Sequence, residues 1–406
     1  MNARDEFINS FRVSINKSTI TVLLIFIQSC GVQYIPKQGS ILLVLILVLT
    51  RDGLLKLTNR DVRNLTIMIS FLILNKLINE SFETSMLLYQ SALVIEAYVF
   101  LVTYRTRSIS ALQQDVSEAL KIIFVHAMIG FVLYHTMPFM FQTATSGYRY
   151  KSFLGFFYVS YNDSGLIRNT GMMWEPGLLQ LMLNFLLFFL IIKDKSKLFM
   201  VLVAVGVLTT YSTTGYICLF INYLIFIVVN FKTRRRFVTY LVIITLLSSS
   251  LFYFMLANIE DKLGGENLSG LARYRDFYIG LELIKEKPIL GHGLFNESYL
   301  FTKEYVSVIE MNLFKPEDLE IIGSIAGGYV NGLFAIFAWF GIPASLTLFV
   351  LFFRNKIFDG SYLVRILFFL IMCFTFLAEP ITYTSFFLIF PFSTLVFRKR
   401  YIQIYE

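Results

Sequence analysis

The stretch PGLLQLMLNFLLFFLIIKDK, residues 176–195, decides the fold class of this chain. It opens on Pro-Gly, carries no charge from Leu178 to Ile192, and closes on Lys193 and Lys195. Its apolar run is close to the roughly 20 residues that a helix needs to cross a bilayer. A charge deep in lipid costs about 2.5–3.5 kcal/mol, so we expect the two lysines to lie at the membrane surface. The stretch therefore predicts a transmembrane helix.

The composition extends this interpretation to the whole chain. The 406 residues are 56% hydrophobic and 15% charged, with a mean hydropathy of +0.68. Soluble domains carry about 25% charged residues. The net charge of +8 comes from short basic clusters between apolar runs, without the interleaved aromatics of a nucleic-acid-binding patch. We therefore predict an integral membrane protein with no nucleic-acid partner.

Pairs of apolar runs between successive basic clusters set the predicted topology. The fold class is all-α and polytopic, with about twelve transmembrane helices, both termini in the cytoplasm, and residues 1–406 forming one transmembrane domain. The predicted spans are about 18–36, 38–55, 65–80, 86–104, 119–137, 177–192, 198–212, 215–231, 237–256, 327–353, 362–379 and 381–397.

The remaining global features add little. The polar lead before the first span lacks the cleavage-site pattern of a signal peptide. Cys30, Cys218 and Cys373 all fall within predicted spans, so no disulfide framework is expected.

Two connections on the predicted outer face are long, at residues 138–176 and 257–326. The first is rich in aromatic and hydroxyl side chains and includes Tyr148, Arg149 and Trp174. Such aromatic side chains either stack on the apolar faces of sugars or form an interfacial aromatic belt. Two large outer loops indicate that the protein acts on the outer side of the membrane.

The end of the first loop brings opposite charges close together in sequence. Glu175 precedes a proline, which disfavours a helix there, and Pro176 suits the first helical position. The positive end of the helix beginning at Pro176 favours an anion. Glu175 is then either a helix cap or a base beside a bound anion. Arg168 either binds that anion or lies in water.

The second loop predicts an amphipathic helix at about residues 270–286. Arg273 and Arg275 flank its apolar stripe on opposite sides, so one of them could reach into a cavity. A surface helix lying on lipid would show the same stripe. Residues 291–293, Gly-His-Gly, predict a tight and exposed turn after the helix.

Four motifs in this order resemble the O-antigen polymerase and ligase family. RNTGMMWEPG (168–177) is similar to its Arg-x-x-Gly-x-x-x-Glu-Pro signature, and YSTTGY (211–216) to its short turn between two spans. The residues from Arg273 to Gly293 resemble its second outer-loop signature, and NGLFAIFAWFGIPA (331–344) its next segment. The resemblance covers about half of the chain, from residue 165 onward.

The resemblance implies a metal-independent glycosyltransferase, without a cofactor, acting at the outer face of a bacterial inner membrane. Its donor would be an undecaprenyl-diphosphate-linked oligosaccharide, and the growing glycan would pass to the sugar end of the next lipid-linked repeat unit. Besides the lipid bilayer and this substrate, the expected partners are a chain-length regulator and a flippase of the same pathway.

The residues suit this chemistry. The leaving diphosphate develops negative charge, and arginine can stabilise that charge with planar, bidentate hydrogen-bond donors. The candidate catalytic residues are Arg168 and Arg273 on the diphosphate, Glu175 as base, and His292 as the second candidate base. The candidate substrate-binding residues are Tyr148, Arg149, Trp174, Arg275 and Asn331.

Two other functions stay open. The ligase branch of the family carries His-Asn where this chain has Val330-Asn331, which favours a polymerase over a ligase. A flippase would need charge inside the membrane, and Glu96, in the middle of a predicted span, supplies it, with Lys76 as a possible partner.

Overall fold

A computed structural model describes residues 13–30, 37–50, 56–79, 84–143, 150–161, 165–194, 196–230, 268–294, 331–358 and 360–397. The chain divides into two compact units. The first unit comprises Met1–Ser40, Ser110–Met255 and Gly360–Thr375, and the second comprises Ile41–Ile109, Leu256–Asp359 and Phe376–Glu406.

The described residues are mostly helical. The helices are α1 (Lys17–Cys30), α2 (Lys37–Leu49), α3 (Asn59–Asn79), α4 (Thr84–Thr103), α5 (Ile109–Thr136), α6 (Pro176–Phe189), α7 (Lys197–Leu208), α8 (Thr213–Asn230), α9 (Leu268–Glu286), α10 (Gly332–Phe353), α11 (Tyr362–Ala378) and α12 (Ser385–Val396). A 3-10 turn at Pro138–Met140 follows α5, and a π turn at Leu190–Asp194 extends α6.

Helices coincide with every predicted span except 237–256, which lies outside the described residues. Within the described ranges, five helices are long and apolar enough to cross a membrane. They are Thr84–Thr103, Ile109–Thr136, Pro176–Lys193, Thr213–Asn230 and Gly332–Phe353. The chain is therefore a helical membrane protein, whereas the number of twelve spans and their sidedness stay predictions.

One element of the first unit was not predicted. A four-stranded antiparallel sheet, β1 (Gln142–Thr143), β2 (Tyr150–Phe153), β3 (Phe157–Tyr161) and β4 (Ile167–Gly171), forms in sequence order within the first loop. The all-α prediction therefore holds for most described residues and misses this sheet. Its aromatic, β-favouring residues bury Val159 against Tyr134 and Phe141, so the loop has a small core of its own.

Helix α6 is the buried centre of the first unit, and side-chain amides join it to α8. Asn184 Nδ2 donates to Gln180 Oε1 at 3.0 Å, and Asn222 Nδ2 donates to Asn184 Oδ1 at 3.0 Å. All three amides are buried. Because lipid offers no competing hydrogen bonds, such a ladder holds two membrane helices in one register.

In the second unit a carboxylate joins the start of α3 to the end of α4. Arg105 donates to both oxygens of Asp61, at 2.8 and 2.5 Å, and the Tyr98 hydroxyl donates at 3.0 Å. Asp61 also accepts from the backbone N–H of Thr58 at 2.7 Å, as in a capping box. Burial opposes ionisation, but the bonds from Arg105 and Thr58 outweigh it and hold the pKa of Asp61 well below its usual range.

Helix α10 is broken in its middle. Gly341 has φ +74°, and Pro343 has no N–H for the carbonyl of Trp339. The broken turn leaves the carbonyls of Ala338 and Trp339 in need of donors, and these come from the second loop.

Candidate functional site

The RNTGMMWEPG motif is a strand, a turn and a helix start. Residues Arg168 to Gly171 belong to β4, and α6 begins at Pro176, as predicted. Gly171 has φ +58°, and a Cβ there would lie 2.8 Å from the Cβ of Ala127. Only glycine therefore permits this turn to pack on α5, which fixes the spacing between Arg168 and the helix start.

Arg168 binds the residue that immediately precedes the second family motif. Its Nε donates to the carbonyl oxygen of Thr210 at 3.0 Å. Beside it, the backbone N–H of Asn169 donates to the Thr209 carbonyl at 3.0 Å, and Asn169 Nδ2 donates to Thr209 Oγ1 at 3.1 Å. The structure thus brings together two motifs that are more than 30 residues apart in sequence. The half-buried guanidinium has a fixed plane, because its Nε is tied to a backbone carbonyl.

The turn that receives Arg168 has an unusual backbone. Tyr211 has φ +47°, which is rare for a residue with a bulky side chain, and its side chain is exposed. Ser212 then starts α8, since its Oγ accepts from the N–H of Gly215 at 3.3 Å. Such strain is typical of functional turns.

Glu175 and Trp174 lie between β4 and α6. Glu175 has an extended backbone at the N-cap position, but its side chain makes no capping hydrogen bond. The alternative that Glu175 is only a helix cap therefore loses its main support. Trp174 is 50% exposed and its backbone N–H donates to the carbonyl of Cys30 at 3.2 Å. An aromatic face, a carboxylate and a positive helix end thus occur together within three residues.

In the second unit, α9 covers the predicted amphipathic helix and contains Arg273 and Arg275, whose side chains lie outside the described part. Asp276, on the same helix, is buried and accepts from the backbone N–H of Asn331 at 2.8 Å. Asn331 Oδ1 in turn accepts from the N–H groups of Leu333 and Phe334 and so caps α10. Asn331, predicted to bind substrate, has a structural role here.

The Gly-His-Gly turn is buried, so the prediction of an exposed turn is wrong. The N–H groups of His292 and Gly293 donate to the carbonyls of Ala338 and Trp339 at 2.8 and 3.1 Å. The N–H of Ile342 donates to the carbonyl of Pro288 at 2.7 Å. We call this backbone pairing between residues 288–293 and 338–342 the clasp. The break in α10 explains the burial, because the turn supplies the donors that the broken helix lacks.

His292 is poorly placed to act as a base. Its side chain is 1% exposed, and its Nε2 lies 3.0 Å from the Leu283 carbonyl. Burial lowers the pKa of the imidazole, although the bond to Leu283 and the Glu286 carboxylate, 3.9 Å away, oppose that shift. A neutral, inward-facing ring fits a packing role better than proton transfer, so Glu175 is the better candidate base.

Two predicted residues, Tyr148 and Arg149, lie outside the described residues. The sequence analysis in turn missed Asn169, Asp276 and Asn75. Asn75 Nδ2 donates to the carbonyl of Leu290 at 2.9 Å, which ties α3 to the clasp. Asn169 and Asp276 each lie within one of the family motifs, directly after an arginine. A polar residue at such a position was the one sign in the sequence that could have indicated them.

Glu96 and Lys76, the possible partners in a flippase, each bond to another side chain among the described residues. Ser385 Oγ donates to Glu96 Oε2 at 2.5 Å, and Lys76 Nζ donates to Thr84 Oγ1 at 2.9 Å. The structure thus gives the two side chains different partners. Among the described residues, no three His, Cys, Asp or Glu side chains come together in a way that could hold a metal ion.

These elements define a class: a polytopic helical membrane protein whose sequence motifs meet in pairs within its two units. Residues 198–349 match the family model described as O-antigen ligase, which includes three of the four motifs. The match supports the resemblance to the O-antigen polymerase and ligase family that the four motifs indicate, and members of the matched family are glycosyltransferase-like enzymes. No curated protein matches the chain.

Proposed function

We propose that this protein is a repeat-unit polymerase of the outer face of the bacterial inner membrane. It would transfer a growing glycan from undecaprenyl diphosphate onto the next lipid-linked repeat unit. The observation that carries the proposal is the contact of Arg168 with Thr210, which brings the first family motif, the one that contains Glu175, against the residue that immediately precedes the second motif. Metal independence and the chain-length regulator and flippase as partners belong to the same proposal.

The reaction needs one proton acceptor and one anion site. The acceptor hydroxyl oxygen attacks the anomeric carbon of the donor sugar, and the bond from that carbon to the diphosphate oxygen breaks. The diphosphate leaves with the electron pair, and Arg168 meets its charge. Charge-assisted hydrogen bonds contribute about 1.5–3 kcal/mol each. Glu175 takes the hydroxyl proton. Trp174 offers a face on which a sugar ring can stack, and Arg273 stays a candidate second arginine on the strength of the sequence.

A ligase is the second candidate, because the matching family model is described as O-antigen ligase. Val330-Asn331 at the family's His-Asn position speaks for the polymerase, and Asn331 serves as the cap of α10. Loss of a polymerase leaves single repeat units on the lipopolysaccharide, whereas loss of a ligase leaves long chains unattached on the carrier lipid.

The test is deletion of the gene, followed by complementation and gel analysis of the lipopolysaccharide. We expect the deletion to show single repeat units, and the Arg168→Ala and Glu175→Gln variants to fail to restore the ladder. Arg365→Ala is the matched control, since Arg365 Nε also donates to a backbone carbonyl, that of Gly360 at 3.3 Å. A normal ladder in the deletion would refute the polymerase. Full activity of Arg168→Ala, at normal protein level, would remove Arg168 from the site.

A further inference from the structure

Tyr211, the first residue of the YSTTGY motif, has a backbone conformation that its side chain disfavours. Its φ of +47° lies in the left-handed region, where every residue except glycine is sterically strained. Two other described residues that are not glycine, Ser108 and Leu154, also have a positive φ, and neither lies in a family motif. The strain at Tyr211 therefore coincides with a motif and needs an explanation.

Hydrogen bonds on the N-terminal side of Tyr211 fix the strained turn. The N–H of Tyr211 donates to the carbonyl of Leu208 at 3.1 Å, and the hydroxyl of Thr210 donates to the carbonyl of Val207 at 2.7 Å. The carbonyl of Thr210 in turn accepts from Arg168 Nε at 3.0 Å. A residue stays in a strained conformation only where its surroundings determine the conformation in this way.

Helix α6 fixes the turn on its C-terminal side. Asn184 Nδ2 donates to the carbonyl of Gly215, in the first turn of α8, at 3.3 Å. A Cβ on Gly215 would lie 3.0 Å from the Cβ of Gln180, so the two helices are in close contact there. The start of α8 is thus held against α6, and the turn before it cannot shift to relieve the strain.

The side chain of Tyr211 offers no structural gain that would offset the strain. Tyr211 is 38% exposed, and within the described part of the chain its hydroxyl makes no hydrogen bond and its ring contacts no other ring. Tyr216, in the same motif, differs: it is 6% exposed and its hydroxyl donates to the carbonyl of Leu208 at 3.3 Å. A glycine at position 211 would form the same turn without strain. The tyrosine is therefore explained better by binding than by packing.

The ring of Tyr211 lies close to the candidate diphosphate site. Tyr211 directly follows Thr210, the residue that Arg168 binds. In addition, the hydroxyl of Tyr211 and the guanidinium of Arg168 both interact electrostatically with the hydroxyl of Tyr216. A ligand whose diphosphate is bound by Arg168 would therefore have its adjoining group near Tyr211.

The chemistry of the side chain indicates which adjoining group this is. In a lipid-linked donor, the diphosphate is bonded to a sugar on one side and to an isoprenoid chain on the other. A sugar ring has an apolar face that can stack on an aromatic ring and hydroxyls that can pair with a phenol. An isoprenoid has no hydrogen-bonding group, so leucine or phenylalanine would serve it equally well. Tyrosine therefore fits the sugar.

We propose that Tyr211 is a substrate-binding residue whose ring stacks on the sugar attached directly to the diphosphate of the lipid-linked donor. The strained backbone presents the ring at this position beside Arg168. The inference rests on the proposed function, because it takes the diphosphate to be bound by Arg168. It applies to a polymerase and to a ligase alike, since both would use a diphosphate-linked donor.

Equilibrium binding of two lipids to the purified protein in detergent tests the proposal. The probes are undecaprenyl diphosphate alone and undecaprenyl diphosphate that carries one N-acetylglucosamine. We expect Tyr211→Leu to bind the sugar-bearing lipid about three- to tenfold more weakly, the size of a ring-stacking contact, and the sugar-free lipid unchanged. Tyr211→Phe keeps the ring and should retain most of the affinity. Tyr362→Leu is the matched control, because Tyr362 is also an exposed tyrosine but lies at the start of α11, outside the family motifs.

Three results would overturn the proposal while leaving the proposed function intact. Equal weakening of both lipids in Tyr211→Leu would mean that the ring contacts the isoprenoid or the diphosphate. Unchanged binding of both lipids would make Tyr211 an interfacial aromatic residue only. Equal losses in Tyr211→Phe and Tyr211→Leu would show that the hydroxyl, not the face of the ring, holds the sugar.

Two further points complete the test. Failure of the unmodified protein to bind either lipid would overturn the proposed function together with this inference, and it differs from the three results above. Should Tyr211→Leu fail to fold, Tyr211→Gly takes its place, since glycine adopts the positive φ without strain. The same selective loss of affinity for the sugar-bearing lipid is expected of this variant.

Discussion

At the scale of single residues, the contacts show that two arginines with the same charge have different roles. Arg105 and Arg168 are both arginines on predicted membrane edges. Arg105 makes a bidentate pair with a buried carboxylate, whereas the Nε of Arg168 contacts a neutral carbonyl. The first arrangement uses the charge to hold two helices together. The second fixes the orientation of the guanidinium through a backbone carbonyl.

The pair of Arg105 and Asp61 leads to a stability prediction. Arg105→Ala should lower the free energy of unfolding by about 3 kcal/mol, because it leaves a buried carboxylate without its cation. Arg107→Ala is the control, since Arg107 is exposed and lies over the ring of Tyr104. Thermal unfolding in detergent measures both variants. Equal midpoints for the two variants would contradict the importance of the pair.

The same pair predicts how the stability of the protein changes with pH. The pKa of Asp61 is lower in the folded state than its unfolded value near 3.9. The stabilisation is therefore complete above that value and is lost as the pH falls toward the folded pKa. The difference in the free energy of unfolding between the unmodified protein and Arg105→Ala should stay constant from about pH 8 to about pH 5. It should shrink below about pH 4.

At the scale of elements, the clasp shows what glycine does in the second loop. Gly291 has φ +67°, and a Cβ there would lie 2.3 Å from the carbonyl oxygen of Trp339. Gly341, on the opposite side of the clasp, would place a Cβ 2.4 Å from the carbonyl of Ile289. Both positions therefore require glycine for two reasons. The backbone has a positive φ at each position, and another backbone segment approaches each of them closely.

A comparison of two alanine variants separates these reasons. Gly165 has φ +78° but nothing within 4 Å of its Cβ position. Gly165→Ala should cost about 1 kcal/mol, the strain of the left-handed backbone alone. Gly291→Ala should cost at least about 3 kcal/mol, since it also breaks backbone hydrogen bonds of the clasp. Unfolding midpoints in detergent measure the difference. Similar losses for the two variants would mean that the clasp yields easily.

Elements differed in how well the sequence predicted them. The start of α6 at Pro176 was predicted because a proline after a non-helical residue is a local signal. The sheet was missed because its aromatic residues in a loop also fit an interfacial belt. The clasp was missed because a glycine in the sequence indicates an unusual backbone angle but does not indicate which other segment packs against it. The contact between Arg168 and Thr210 depends on tertiary packing, so the sequence could not predict it. The resemblance indicated that both motifs are typical of one family, and the structure shows that they lie close to each other.

At the scale of the whole molecule, the intramembrane carboxylate distinguishes an enzyme from a transporter. Glu96 accepts from Ser385 and is fully buried between α4 and α12. A hydrogen bond between two packed helices is a structural use of a polar group in lipid. A transporter would instead need this charge to couple to substrate or ions.

Glu96→Gln tests this distinction, because glutamine still accepts from Ser385 but carries no charge. Purified protein in liposomes with lipid-linked repeat units should polymerise them, and Glu96→Gln should do so at a similar rate. Ser385→Ala is the companion variant, which removes the same hydrogen bond while the carboxylate stays. Passage of repeat units across the liposome membrane that depends on Glu96, without polymer, would favour the flippase.

The clasp also has a consequence for how the chain is made. Gly291 leaves the ribosome 50 residues before Gly341, and at about 5–20 residues per second the interval lasts a few seconds. During that time the N–H groups of His292 and Gly293 have no carbonyls of α10 to bind. These donors of the second loop must therefore wait for a later helix to complete the clasp. Slowing translation between these two codons should lengthen the period in which proteases can cut the nascent loop.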